Sequence, residues 1–146
     1  MKTLHFAVPE EFRLLLEPVA ETKTFQSGAP LFERGDPVLG VYLIRKGRVA
    51  LSLADVPEPA PRMVGPGTLL GLPATIGGRA YSLAAKALEP VEVGFIARNE
   101  FVNLLRQNVD FCFAVIQGLA SELSETRQKA SELLEQQFQG MLTRET

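Results

Sequence analysis

Short apolar runs broken by glycine and proline fill the middle of the chain, and a long unbroken amphipathic run fills its end. Val41 to Ile44, Val49 to Leu53 and Val91 to Ile96 have the length and β-branched content of strands. Ten of the twelve glycines lie between Gly28 and Gly94, and no proline follows Pro90, so the turn-formers crowd the segment that holds these runs. This pattern predicts a compact β body, a small sandwich or roll. Ahead of it, Phe12, Leu15, Leu16 and Val19 recur at helical spacing behind Pro9-Glu10-Glu11, whose acidic residues suit the positive end of a helix dipole. Behind it, Arg98 to Leu105 predicts a second short helix. Asp110 is then placed as the N-cap of a much longer one that only Gly118 interrupts before Gln139.

A helix over 110–139 extends roughly 45 Å at 1.5 Å per residue, more than one face of so small a body can cover. Ile116, Leu119, Leu123, Thr126, Ala130 and Leu133 alternate spacings of three and four, a coiled-coil-like seam that points to self-association. An ordinary amphipathic helix packed on its own domain is the alternative.

The chain has 146 residues, 46% hydrophobic and 22% charged, enough to bury one core and far from the composition of a disordered chain. Its formal charge of −2 supplies no bulk positive field for nucleic acid or an anionic membrane. Cys112 is the only cysteine, which excludes internal disulfides and multi-cysteine metal sites. His5 is the only histidine, which removes the usual parts of a Ser-His-Asp triad or a multi-histidine metal centre. No apolar run reaches the ~20 residues that span a bilayer, and the first ten residues lack a signal-peptide pattern. The expected compartment is the cytoplasm, with no membrane partner. Cys112, flanked by Phe111 and Phe113, is expected to be a buried, inert thiol rather than a redox sensor.

The most specific segment is Phe25, Gly28, Leu31, Phe32, Gly35-Asp36, Tyr42-Leu43-Ile44, Gly47 and Val49. Its glycines supply the positive φ of strand-linking turns, and its apolar positions supply faces to bury. The spacing resembles the cyclic-nucleotide-binding domain of the cyclic-AMP receptor protein family (CRP/FNR). The likeness continues through Gly65-Pro66-Gly67, Gly71 to Ser82, Lys86-Ala87 and the helices from Asn99 to about Ala130. The resemblance implies a mainly β fold with flanking helices, a jelly-roll-like double-stranded β-helix. It also implies a ligand pocket inside the roll and a long C-terminal dimerisation helix.

In that family a Gly-Glu pair opens a short helix and an Arg-Ser or Arg-Thr pair follows it. Backbone N–H groups and the arginine hold the cyclic phosphate, and the carboxylate accepts the ribose hydroxyl. Here Gly71 and Ser82 match, but Leu72 stands at the glutamate position and Tyr81 at the arginine position. Pro73 removes a further N–H donor. Losing these contacts costs several kcal/mol, or about three decades of affinity, so cyclic nucleotide is disfavoured as a cofactor. Two residues argue for a residual site. Arg79, two positions before Tyr81, shares its face if the segment is extended, and is otherwise a solvated loop arginine. Thr126 matches the position where the family contacts adenine, and is otherwise a seam residue. Arg127 follows it, within helical reach of Glu122 and Glu125. The candidate ligand-binding set is Gly71, Leu72, Arg79, Tyr81, Ser82, Thr126 and Arg127.

Regulators of the family continue into a winged helix-turn-helix. Seven residues follow Gln139, and residues 111–146 carry three Lys and Arg against five Asp and Glu, so direct nucleic-acid binding is not expected. The expected organisation is a β-roll with short flanking helices over 1–109 and the dimerisation helix with a short tail over 110–146. The function expected is a non-enzymatic regulatory or sensor module, a homodimer with room for a small-molecule ligand. The competing readings are a ligand-free structural or protein-interaction dimer and, least supported for want of histidines, a metal-dependent enzyme of the cupin type.

Overall fold

The computed structural model describes residues 6–52 and 62–120. Two antiparallel sheets form the body. One has five strands in the order β1 (Phe6–Ala7), β7 (Thr68–Leu70), β4 (Gly40–Lys46), β9 (Val91–Ala97) and β2 (Glu21–Phe25). The other has four, β3 (Pro30–Phe32), β8 (Ala84–Ala87), β5 (Val49–Ser52) and β6 (Arg62–Val64). Helix α1 (Glu10–Leu16) runs into a 3-10 turn at Glu17–Val19, α2 (Leu72–Gly77) follows β7, and α3 (Arg98–Gln107) follows β9. A further helix, α4, occupies 109–120.

The alternation of side chains along β4 explains the architecture. Tyr42 and Ile44 join Leu31, Phe32, Val49, Leu51, Leu70, Val93 and Phe95 in the core between the sheets. Val41 and Leu43, on the opposite face, join Leu16, Leu69, Ile96, Phe101, Leu105, Phe111 and Val115 beneath the helices. A strand buried on both faces reads as a continuous apolar run rather than an alternating one, which is why Val41 to Ile44 stood out. In the four-stranded sheet only one face of β5 is covered: Val49 and Leu51 are buried while the alternate residues Ala50 and Ser52 are half-exposed.

Gly40 admits β4 to this sheet. A Cβ there would strike the Ile96 carbonyl oxygen of β9, so no other residue fits without moving a strand. Arg45, where the β4–β9 register slips, lies over Gly94 and bonds Glu17 at 2.7 Å and Thr22 at 2.6 Å, fastening the 3-10 turn to the sheet edge.

The sequence places the helix starts nearly correctly. α1, α3 and the three apolar strands appear where expected, with Leu53 outside the described residues and α3 reaching Gln107. Asp110 is not the N-cap of α4. The residue between α3 and α4 is Asn108: its N–H and its side-chain amide both donate to the Leu104 carbonyl, at 3.0 and 2.9 Å, and its carbonyl accepts the Cys112 N–H at 2.9 Å. Asn108 therefore ends one helix and starts the next, and Asp110 sits inside the first turn, where its charge suits the dipole.

Candidate functional site

The segment from Gly71 to Ser82 folds as a six-residue helix and a loop packed on the roll. Gly71 is the N-cap of α2 with φ +84°, a conformation that favours glycine, and a Cβ there would stand 2.9 Å from the Tyr81 ring. Pro73 lies in the first turn, where its missing N–H costs no helical bond but removes a donor from the helix start. The first expectation to fail concerns Leu72. Its side chain does not wall the roll interior; it is 2% exposed and belongs to the helix-layer cluster with Val41, Phe101 and Phe111. Ala74, two residues on, belongs to the roll interior. The short helix thus bridges the two cores.

Tyr81 enters the roll. It is 3% exposed, and its ring stacks on Phe32 with centroids 4.1 Å apart. Its hydroxyl donates to the Gly40 carbonyl at 2.8 Å and accepts from the Leu39 and Gly40 N–H groups at 3.2 Å. Phe32 packs in turn on Tyr42, and Tyr42 on Phe95, with centroids 5.5 and 5.0 Å apart. Burial raises the Tyr42 hydroxyl's pKa well above the ordinary tyrosine range, and the neighbouring Tyr81 hydroxyl and Asp36 carboxylate raise it further. Apart from the Tyr42 and Tyr81 hydroxyls, Thr75 is the sole buried polar or charged side chain among the described residues, and its hydroxyl is satisfied by the Gly71 carbonyl at 2.7 Å. Among the described residues no charged side chain is buried in the roll core, so they offer an incoming anion no buried cation there.

Arg79 does not share a face with Tyr81. The segment is an irregular loop rather than a strand, so alternation does not apply, and Arg79 is exposed while Tyr81 is buried. Ser82 is exposed as well. The structure therefore brings Gly71 and Tyr81 together, sends Leu72 to the helix layer and leaves Arg79 and Ser82 at the surface. Thr126 and Arg127 lie outside the described residues.

On α4 the roll is met by Phe111 and Val115, both buried, with Cys112 and Leu119 partly buried beside them. Phe111 packs on Phe12 of α1 and Phe101 of α3, with centroids 5.1 and 6.0 Å apart. Leu119 is thus turned partly to its own domain. Ile116 is 56% exposed and continues a stripe with Val109, 77% exposed, and Phe113, 60% exposed. Val109, Phe113 and Ile116 are spaced four and three apart in the sequence, so the stripe begins two positions of the seam ahead of Ile116. Leu123, Ala130 and Leu133 lie outside the described residues. No helix among the described residues is long and apolar enough to cross a membrane, and none of their His, Cys, Asp and Glu side chains gather in threes as metal ligands do.

A family model, the cyclic nucleotide-binding domain, matches residues 22–108. The cyclic AMP receptor protein of Thermus thermophilus is 29% identical over 105 residues, which are 70% of this chain and 48% of that protein; this chain spans about half of that relative's length. The crystal structure of the Thermus thermophilus catabolite activator protein superposes with a TM-score of 0.68 at 24% identity, covering 90% of this chain and 61% of that one. The sensor domain of the transcriptional regulator DNR from Pseudomonas aeruginosa gives 0.65 at 16% identity, over 77% of each chain. These two structures share the fold. Since the family model takes in more than half of the residues, from β2 to the joint at Asn108, the chain belongs to the cyclic nucleotide-binding domain family.

Proposed function

We propose that this chain is a non-enzymatic regulatory module, cytoplasmic and homodimeric, that does not use cyclic nucleotide as its signal. The observation that carries this reading is Tyr81. At the position where the family resemblance calls for a phosphate-binding arginine stands a buried phenol, stacked on Phe32 and hydrogen-bonded to the β4 backbone. A cyclic nucleotide seated there would have to displace the ring and break its three hydrogen bonds, and its phosphate would meet no buried cation among the described residues. Similarity to the sensor domain of a transcriptional regulator supports a regulatory role. We assign the sensing body to 1–109 and the pairing element to the helix from 110 onward. In this arrangement Val109, Phe113 and Ile116 would be covered by the same face of a second copy.

A second reading, a protein-interaction dimer with no small-molecule ligand, is favoured by the same buried Tyr81. Both readings require a dimer. Sedimentation equilibrium over a wide concentration range is expected to show reversible dimerisation, and a species that stays monomeric at every concentration would remove the proposal.

A further inference from the structure

Tyr81 does more than fill space, because its contacts close a ring that joins the roll to the helix layer. Its hydroxyl accepts the Leu39 N–H at 3.2 Å. The Leu39 carbonyl accepts the Arg98 N–H, at the start of α3, at 3.0 Å. The Arg98 Nε donates to the Thr75 carbonyl of α2 at 2.8 Å, and the Thr75 hydroxyl donates to the Gly71 carbonyl at 2.7 Å. Gly71, whose absent Cβ would press on the Tyr81 ring, brings the ring back to its start. The Tyr81 backbone adds two more ties, donating to the Asp36 carbonyl at 3.0 Å and accepting from the Gly35 N–H at 2.8 Å. Arg98 also lies over Gly78 at the far end of α2.

We propose that Tyr81 is a built-in occupant of the roll: its phenol holds α2 against α3 from inside, so the arrangement of the helix layer is set by the chain itself rather than by a diffusible ligand. This deepens the functional reading above and rests on it. α2 is placed to transmit the effect, since Ala74 faces the roll interior while Leu72 packs in the cluster of Phe101, Phe111 and Val115, which includes the buried face of α4. A bound molecule pushing into the roll would have to move the same ring, and through it the same two helices.

Tyr81→Phe keeps the ring and removes only the hydroxyl, so it leaves no cavity. Hydrogen exchange on the full chain is expected to accelerate about tenfold at Leu39 and Gly40, which lose their acceptor, and also at Arg98, Thr75, Gly78 and Arg79 along the ring. Acceleration confined to Leu39 and Gly40 would overturn the proposal. Tyr81→Ala removes the occupant, and p-cresol added to it is expected to restore both the melting temperature and the protection at Arg98 and Thr75, while leaving the wild type unmoved. A folded Tyr81→Ala that p-cresol does not restore, or that toluene restores equally, would also overturn the proposal; if that variant does not fold, Tyr81→Phe decides alone. Cyclic nucleotide binding to the wild type would instead strike the functional reading and leave these exchange patterns standing.

Discussion

Replacing Leu72 by glutamate installs the residue that the family resemblance calls for at that position, and the structure predicts that it will damage the fold rather than rebuild a ligand contact. The Leu72 side chain is 2% exposed among apolar neighbours beneath the helices. Losing its burial costs about 2 kcal/mol. A neutral carboxyl group left there without a partner costs a further 1 to 3 kcal/mol or so. Keeping that group protonated at neutral pH, when its ordinary pKa is about 4.3, adds about 3.7 kcal/mol. The total, about 7 to 9 kcal/mol, falls within the entire stability of a typical domain, roughly 5 to 15 kcal/mol. The buried glutamate's folded pKa is raised, so its penalty is smallest in acid and grows as pH climbs through its unfolded value. Leu72→Ala, which creates a cavity but buries no acid, is expected to cost about 3 to 5 kcal/mol at either pH. Urea unfolding followed by circular dichroism, at neutral pH and near pH 4.5, reads both variants. Leu72→Glu should be largely unfolded at neutral pH and approach Leu72→Ala in acid. A Leu72→Glu protein as stable as wild type at neutral pH, and newly able to bind cyclic nucleotide, would place that side chain in the roll and refute the reasoning.

Gly40→Ala drives a methyl group into the Ile96 carbonyl and should abolish soluble folded protein or lower its melting temperature by more than ten degrees or so, as thermal unfolding would show; a near-wild-type melt would contradict the close β4–β9 approach. Phe113→Asp should weaken dimerisation by at least about two decades in sedimentation, since about 100 Å² of ring per protomer loses its apolar cover, while far-ultraviolet dichroism stays unchanged. Tyr42 and Tyr81 are the only tyrosines, and tyrosinate absorbance followed against pH should show Tyr42 still protonated above the ordinary value of about 10. Because that pKa is raised by folding, the associated stability is fully present below about pH 10 and is lost as pH rises beyond it, so alkaline unfolding should release Tyr42 in one cooperative step; independent titration within an intact fold would contradict its burial.

The framework was legible because its rules are local. Positive φ at Gly28, Gly35, Gly47, Gly67 and Gly71 is a backbone requirement that any reader of turns can anticipate, and β4 announces its double burial through four successive apolar residues. The faces of single side chains were harder to place. Alternation predicts a shared face for Arg79 and Tyr81, but no strand forms after Gly77-Gly78, so period two carries no information there. The cassette pattern predicts Leu72 in the pocket, whereas beyond the left-handed turn at Gly71 it lies in the helix layer; such a choice depends on which cluster has room. The role of Tyr81 depends on Leu39 and Gly40, some forty residues away in sequence, and no periodicity could have paired them. At the α3–α4 joint the side-chain preference for Asp at an N-cap was a fair guide to the chemistry, but Asn108 held the place through a carbonyl bond rather than a side-chain cap.

The central claim, that the roll is filled from within and does not take cyclic nucleotide, is tested most directly by titrating the wild-type protein with cyclic AMP and cyclic GMP while following its melting temperature, with linear nucleotides as controls. A ligand at a hundred times its dissociation constant stabilises by about 2.7 kcal/mol, a shift of several degrees for a chain of this length. The account predicts no saturable shift up to millimolar nucleotide. A saturable shift with either cyclic nucleotide and none with the linear controls would contradict it, and would mean that Tyr81 yields its place to the ligand.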